Sequence, residues 1–216
     1  MPIFLKDSFA KFKRHWAILF KDRAFRISFF VGLVLIVASH VVNNFVGAYN
    51  DSQTYLSVGD VILDVIPTYD LGFIYTWGMY GLIFLIYFYA IFVKPEIVPF
   101  TMKTFAMLMF LRSGFILMTN IGPPADSFYL GTETLGGHAV ANFLFKNDLF
   151  FSGHTAHPFL AFLIFKDTKL RWVFFAGSIV MGITVLLMHV HYSIDVFAAF
   201  FIAYGTHAFS DKVFNR

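Results

Sequence analysis

The sequence predicts an all-α integral membrane protein: a bundle of six transmembrane helices with cytoplasmic termini and a candidate active site at the exoplasmic face. Composition is the first observation behind this prediction, because 58% of the 216 residues are hydrophobic, 13% are charged and the mean hydropathy is +0.71. A soluble domain of this size needs more charged residues to cover its surface. The other two observations are six apolar segments of membrane-crossing length and a one-sided distribution of Lys and Arg.

Six segments are long and apolar enough to be membrane spans, since crossing the hydrocarbon takes roughly 17–25 mostly apolar residues. They are predicted at 27–49, 71–93, 99–119, 149–165, 171–190 and 194–209. The fourth and sixth are short, so their outer ends are expected to lie below the membrane surface or to begin in the neighbouring loop. Lipid-exposed backbone must satisfy its own hydrogen bonds, so each span is expected to be helical.

The flanks of the spans divide the chain into three parts. Residues 1–26 mix basic residues with Phe12 and Trp16, which predicts an amphipathic cytoplasmic segment on the membrane surface. Residues 27–209 form the six-helix transmembrane catalytic domain, and 210–216 form a cytoplasmic tail. A cleaved signal peptide is not expected, because the first apolar run starts late and is long. The chain contains no cysteine, which excludes disulfides and thiolate chemistry.

The basic residues predict the orientation. Fourteen of the 16 Lys and Arg residues fall on the side of the termini; the exceptions are Arg112, inside the third span, and Lys146. Cytoplasmic loops carry the excess of Lys and Arg, so the termini are predicted to be cytoplasmic. The opposite face is periplasmic, extracellular or lumenal. Its loops are acidic, with Asp51, Asp60, Asp64, Asp70, Asp126, Glu133 and Asp148.

Two polar stretches interrupt the apolar spans on that exoplasmic side, FFSGHTAHP at 150–158 and HVHYSID at 189–195. His191 and Asp195 are four residues apart, so on a helical turn their side chains are neighbours. A carboxylate bonded to one ring nitrogen fixes the tautomer and leaves the other nitrogen basic, which prepares a nucleophile. His154 is placed to supply a proton to a leaving group.

The same region offers groups that bind an anion. The turn at 152–155 begins a helix, where free backbone N–H groups favour phosphate. Arg112 offers a planar, permanently charged fork for phosphate oxygens. Its alternative role is to snorkel to the membrane interface, and the alternative for His154, His191 and Asp195 is a purely structural one. His207, in the last turn of the sixth span, is expected to be a solvated helix-end residue.

The stretch NDLFFSGHT at 147–155, followed by HVHYSIDV at 189–196, resembles two signature motifs of the sphingomyelin synthase family. That family is a branch of the type 2 phosphatidic acid phosphatase superfamily and has six spans. RSGFILMTNIGPP at 112–124 is similar to a weaker element of the family. The chain departs from the family pattern at Asn147, Phe151 and Val190. The positions that match the two signature motifs are Asp148, Ser152, Gly153, His154, Thr155, His189, His191, Tyr192, Asp195 and Val196.

The resemblance implies a lipid phosphotransferase. His191, oriented by Asp195, would attack the phosphorus of a phospholipid head group, and His154 would protonate the departing diacylglycerol oxygen. A phosphohistidine-type intermediate would then pass the head group to a lipid alcohol, ceramide or diacylglycerol, or to water. No metal or other cofactor is expected, because cationic groups and helix-start amides can stabilise the charge. No nucleic-acid partner is expected.

The remaining candidate residues of the site divide into two groups by their expected role. Those expected to bind the substrate phosphate are Arg112, Ser152, Gly153 and Thr155. Those expected to support the site are Asp148, His189 and Tyr192.

Three other functions stay open at this point. A lipid phosphate phosphatase would use water as the acceptor, and a non-catalytic lipid-binding relative would lack the reaction. A haem- or metal-binding membrane redox protein would use intramembrane histidines as ligands. The sequence leaves open the head group, the acceptor, the acyl-chain preference, the membrane and the oligomeric state.

Overall fold

The computed structural model describes residues 3–128 and 145–214, and within these ranges the fold is all-helical. The all-α prediction is therefore confirmed for the described part of the chain. Its seven α-helices are α1 (Ile3–Leu19), α2 (Arg23–Asp51), α3 (Met79–Phe92), α4 (Val98–Met118), α5 (Gly153–Ile164), α6 (Arg171–Leu187) and α7 (Ser193–Val213).

Three helical segments in the described residues are long and apolar enough to cross a membrane: Arg23–Asp51, Ile74–Phe92 and Pro95–Met118. The helix at Arg171–Leu187 is apolar but shorter. These segments support a membrane protein and correspond to the first, second, third and fifth predicted spans. Six crossings and cytoplasmic termini stay a prediction, and Glu133 of the acidic face lies outside the described residues.

The N-terminal segment is helical, and its aromatic face packs on the bundle. Trp16 Nε1 donates a hydrogen bond to the Ile91 carbonyl over 3.2 Å, and the Phe12 ring stacks on Phe92 with centroids 5.0 Å apart. The helix ends at Leu19, and Asp22 caps the next one by accepting from the Ala24 N–H. Part of the apolar face expected to meet the membrane therefore contacts α3 instead.

The core lies between two groups of helices. Helix α4 packs along α2, while α5 packs against α6 and α7. Both groups share one apolar core, whose largest fully buried side chains include Ile86, Leu108, Phe151, Leu160 and Phe174. Since α5 and α7 carry the two polar stretches at their first turns, this packing brings those stretches to one end of the bundle.

His207 lies at the other end of α7, and its predicted solvation is wrong. The residue is buried, its Nδ1 lies 3.6 Å from Asp211 Oδ2, and its ring meets Phe100 edge to face. Helix α7 therefore carries a His–Asp pair at each end.

Two asparagines fasten the segment before α5 to the ends of α2 and α4. Asn50 Nδ2 donates to the carbonyls of Ile116 and Asn147, and Asn147 Nδ2 donates back to the carbonyls of Asn50 and Gln53 over 2.8 and 3.1 Å. Both asparagines are buried. Because buried amides are costly without partners, this exchange fixes where Asp148, the next residue, stands.

Gly182 of α6 faces side chains of both α5 and α7. A Cβ at this position would lie 3.1 Å from Val196 Cγ1 and 3.4 Å from Thr155 Oγ1. The absent side chain therefore allows α5 and α7 to pack against the same turn of α6.

Gly182→Val should push α5 and α7 apart and lower the free energy of unfolding, by about 1–3 kcal/mol for an overpacked site. Gly205→Val is the matched control, because nothing lies within 4 Å of a Cβ at Gly205 in α7. Unfolding of both variants in detergent micelles measures the difference. Equal stability of the two variants would contradict the close packing.

Candidate active site

Helix α5 begins at a serine cap that is joined to α7. Ser152 Oγ accepts from the Thr155 N–H over 3.4 Å and from Thr155 Oγ1 over 3.2 Å, as expected for a serine at an N-cap. The Ser152 N–H donates to the Asp195 carbonyl over 3.1 Å. This cap places His154 in the first turn of α5, next to the start of α7.

Helix α7 begins at Tyr192, and Asp195 fixes that start. Asp195 Oδ2 accepts from the Tyr192 N–H over 2.9 Å and lies 3.3 Å from His191 Nδ1. His191 itself stands in the turn between α6 and α7, because α6 ends at Leu187 and His189 has a φ of 52°. His191 and Asp195 are therefore in contact, as their spacing predicted, but not within one helical turn. Asp195 lies in the first turn of α7, and its carboxylate contacts His191 in the preceding turn.

Arg112, His154 and His191 line one cavity of about 190 Å³. The sequence predicted these three residues on separate spans, and in the structure they line the same cavity. Asp195 contacts His191 but does not line the cavity, which is the position expected of a residue that orients the imidazole. The cavity is also lined by Asn43, Tyr75, Met79, Met109, Ser127, Phe145, Lys146, Asp148, Gly153, His157 and Val190.

Arg112 is buried and forms an ion pair that the sequence did not predict. Nη1 donates to the two carboxylate oxygens of Asp148 over 2.6 and 2.5 Å, and Nη2 donates to the Asp148 carbonyl over 3.1 Å. Nε donates to the Phe151 carbonyl over 3.0 Å. All three guanidinium nitrogens of Arg112 therefore have acceptors within the described residues. Arg112 holds the segment before α5 in place, and one N–H of Nη2 is left for a ligand.

The residues expected to bind phosphate do not all reach the cavity. Gly153 lines it, and a Cβ there would lie 3.2 Å from Arg112 Nε. Ser152 and Thr155 are fully buried, engage each other and are outside the lining. Their side chains therefore stabilise the start of α5, and only the backbone of this turn is available to a ligand.

Two of the residues expected to support the site line a second cavity. His189 and Tyr192 face a space of about 630 Å³ between the loops at residues 57–68 and 124–126. The Tyr192 hydroxyl accepts from the Val58 N–H and donates to the Gly122 carbonyl, while Thr68 Oγ1 lies 3.3 Å from His189 Nδ1. Burial raises the pKa of the Tyr192 hydroxyl, so it stays protonated and can donate at neutral pH.

Asp60 connects the loop between α2 and α3 to the start of α7. Its Oδ2 accepts from the Ser193 N–H over 2.6 Å, and its Oδ1 accepts from the N–H groups of Ile62 and Leu63. Burial by itself raises the pKa of the Asp60 carboxyl, but these hydrogen bonds, led by that from Ser193, outweigh it and hold the pKa below its ordinary value. The carboxylate is therefore charged at neutral pH, and the stability it adds is lost only as the pH falls through its lowered pKa.

Four cavity residues gave no clear signal in the sequence. Tyr75 lies in the apolar stretch IYTWG, Asn43 lies within the first span, and Lys146 entered only the count of basic residues. His157, in the FFSGHTAHP stretch, was expected to have at most a supporting role; it lines the cavity, with Nδ1 2.8 Å from the Gly153 carbonyl. Lys146 and His157 lie within two residues of the motif at 147–155, so their position beside it was a usable signal. Tyr75 lies near neither motif.

No group of three or more His, Asp or Glu side chains suited to hold a metal ion occurs in residues 3–128 and 145–214.

Residues 147–212 match a family model described as PAP2 superfamily C-terminal. The match covers α5, α6 and all but the last residue of α7, and it supports the type 2 phosphatidic acid phosphatase superfamily. Members of that superfamily are phosphatases or phosphotransferases acting on lipids, which is consistent with an enzyme of this general kind. The resemblance to the sphingomyelin synthase branch stays a prediction. No protein of curated function matches the chain.

The Arg112–Asp148 pair should behave as a buried, mutually dependent pair. Arg112→Ala should lower the free energy of unfolding by about 3–5 kcal/mol, because it leaves the Asp148 carboxylate buried without its partner. The Arg112→Ala/Asp148→Ala double variant should be more stable than the sum of the single losses predicts. Denaturant unfolding of the four proteins measures this coupling. Purely additive losses would show that the two side chains do not depend on each other.

Proposed function

We propose that the chain is a lipid phosphotransferase that moves a phospho-head group from a membrane phospholipid to a lipid alcohol through a phosphohistidine-type intermediate. The observation that carries the proposal is the His191–Asp195 pair, whose imidazole lines one cavity with His154 and Arg112. An imidazole oriented by a buried carboxylate, facing a second imidazole, is suited to nucleophilic displacement with proton transfer.

In the first step, the lone pair of His191 Nε2 attacks the phosphorus of the donor. The Nδ1 hydrogen is held by Asp195, which keeps Nε2 unprotonated and stabilises the cation that forms. The P–N bond forms as the bond from phosphorus to the diacylglycerol oxygen breaks, and His154 gives its proton to that oxygen.

In the second step, the direction of proton transfer reverses. His154, now neutral, takes the proton of the acceptor hydroxyl, and the acceptor oxygen attacks the phosphorus. The new P–O bond forms as the P–N bond to His191 breaks, so the enzyme returns to its starting state. Ceramide or diacylglycerol is the acceptor that the family resemblance implies.

Positive groups around the cavity favour the phosphate. The first N–H groups of α5, at Gly153 and His154, lack intrahelical acceptors because of their position. They would bind phosphate together with the remaining N–H of Arg112 and the ammonium of Lys146. Asp148 neutralises part of the charge of Arg112, so its contribution is smaller than that of a free guanidinium.

The cavity is proposed to open to the exoplasmic side. Fourteen of the 16 Lys and Arg residues are predicted to lie on the side of the termini. The polar first turns of α5 and α7 lie at the ends of these helices that are predicted to face away from that side. Donor and acceptor lipids would then come from the outer or lumenal leaflet.

The proposal predicts the products of an assay with purified protein and a phospholipid labelled in its head group. With ceramide or diacylglycerol present, the label should appear in a new lipid. Label released only as a water-soluble phosphate ester would instead show that water is the acceptor. Release of inorganic phosphate from a phosphatidic acid donor would identify a lipid phosphate phosphatase.

In the same assay, His191→Ala and Asp195→Asn should each abolish turnover, and loss of the orienting carboxylate should cost on the order of 10⁴-fold. Asparagine keeps an oxygen that can accept from the Tyr192 N–H, so the start of α7 survives in Asp195→Asn.

The other His–Asp pair of the same helix supplies the matched control. His207 and Asp211 have the same spacing and lie outside the cavity, so His207→Ala and Asp211→Asn should keep activity near that of the wild type. Wild-type activity in either variant at the first pair would contradict the assigned roles, provided that membrane insertion is unchanged in all four.

A further inference from the structure

Tyr75 makes the closest ring contact of any cavity residue in the described part of the chain. Its ring stacks on that of His154 with centroids 3.9 Å apart and an interplanar angle of 24°. A residue from a different helix therefore packs flat against the imidazole of the candidate proton donor.

Tyr75 belongs to the π-helical turn Ile74–Gly78, which leads directly into α3. Such turns occur often at functional sites.

We propose that Tyr75 is a positioning residue that fixes the ring plane of His154, and this inference rests on the proposed role of His154 as proton donor. The stacked ring resists rotation of the imidazole, which keeps the ring nitrogen that exchanges a proton with substrate in line.

The two histidines of the cavity thus receive different partners. His191 faces the carboxylate of Asp195, which stabilises an imidazolium and suits a nucleophile that becomes positively charged. His154 faces an aromatic ring, which fixes its orientation without adding a negative charge. This difference in partners supports the division of labour between nucleophile and proton donor.

The inference is tested with two substitutions and two leaving groups. Tyr75→Phe keeps the ring and the backbone, and Tyr75→Leu removes the ring alone. The donors are a natural phospholipid, whose alkoxide leaving group needs a proton, and its p-nitrophenyl analogue, whose phenolate leaves without one. The first-turnover rate of leaving-group release is measured for each, together with KM.

Tyr75→Phe should stay near wild type with both donors. Tyr75→Leu should lose on the order of 10- to 100-fold in the first-turnover rate with the natural phospholipid, part of what a general acid supplies. With the nitrophenyl donor the loss should disappear, and KM should change little. Equal losses with both donors, a change confined to KM, or full activity of Tyr75→Leu would overturn the inference.

Two further variants keep the result interpretable. Phe105→Leu removes the ring stacked on the other cavity histidine of α5, His157, and should show no dependence on the leaving group. His154→Ala should show the same dependence as Tyr75→Leu, but larger. If His154→Ala lacks that dependence, the proposed function fails; if His154→Ala shows it and Tyr75→Leu does not, the positioning role alone fails.

Discussion

The arrangement of the candidate site depends on one residue, Asp195. Its carboxylate accepts from the Tyr192 N–H, which starts α7, and pairs with His191. Its carbonyl accepts from the Ser152 N–H, which starts α5. The two helix starts that carry the candidate nucleophile and proton donor are therefore joined through a single buried residue. A change in its position would move both, so the geometry of the reaction and the packing of the helices share one constraint.

A second constraint comes from the ion pair between Arg112 and Asp148. Both side chains are largely buried, where an unpaired charge is costly, so each needs the other. The pair connects α4 to the segment before α5, so Arg112 has a structural role and does not act on substrate alone. Two buried charged groups therefore hold one side of the cavity in place. Arg112 can therefore hold the segment before α5 in place and still offer one N–H to a ligand.

Local patterns predicted the parts of the site that local interactions build. The four-residue spacing of His191 and Asp195 led to the observed contact, and the turn at 152–155 begins a helix as predicted, since helix starts follow short-range rules. The Ser152 side chain, expected to bind phosphate, caps that helix instead. The pairing of Arg112 with Asp148 spans 36 residues and depends on how α4 packs, so no short pattern contains it. Tyr75 was missed for the same reason: its role comes from a π-helical turn within an apolar stretch. The solvation expected for His207 was wrong because packing against Phe100 buries the end of α7.

The central claim, that the head group passes through His191, predicts two successive displacements at phosphorus. Each in-line displacement inverts the configuration, so two give net retention and one gives net inversion. The direct measurement uses a phospholipid donor with a phosphorothioate of a single configuration and determines the configuration of the transferred product. Retention is the result predicted by an intermediate on His191. Inversion would show direct transfer from donor to acceptor and would contradict the account.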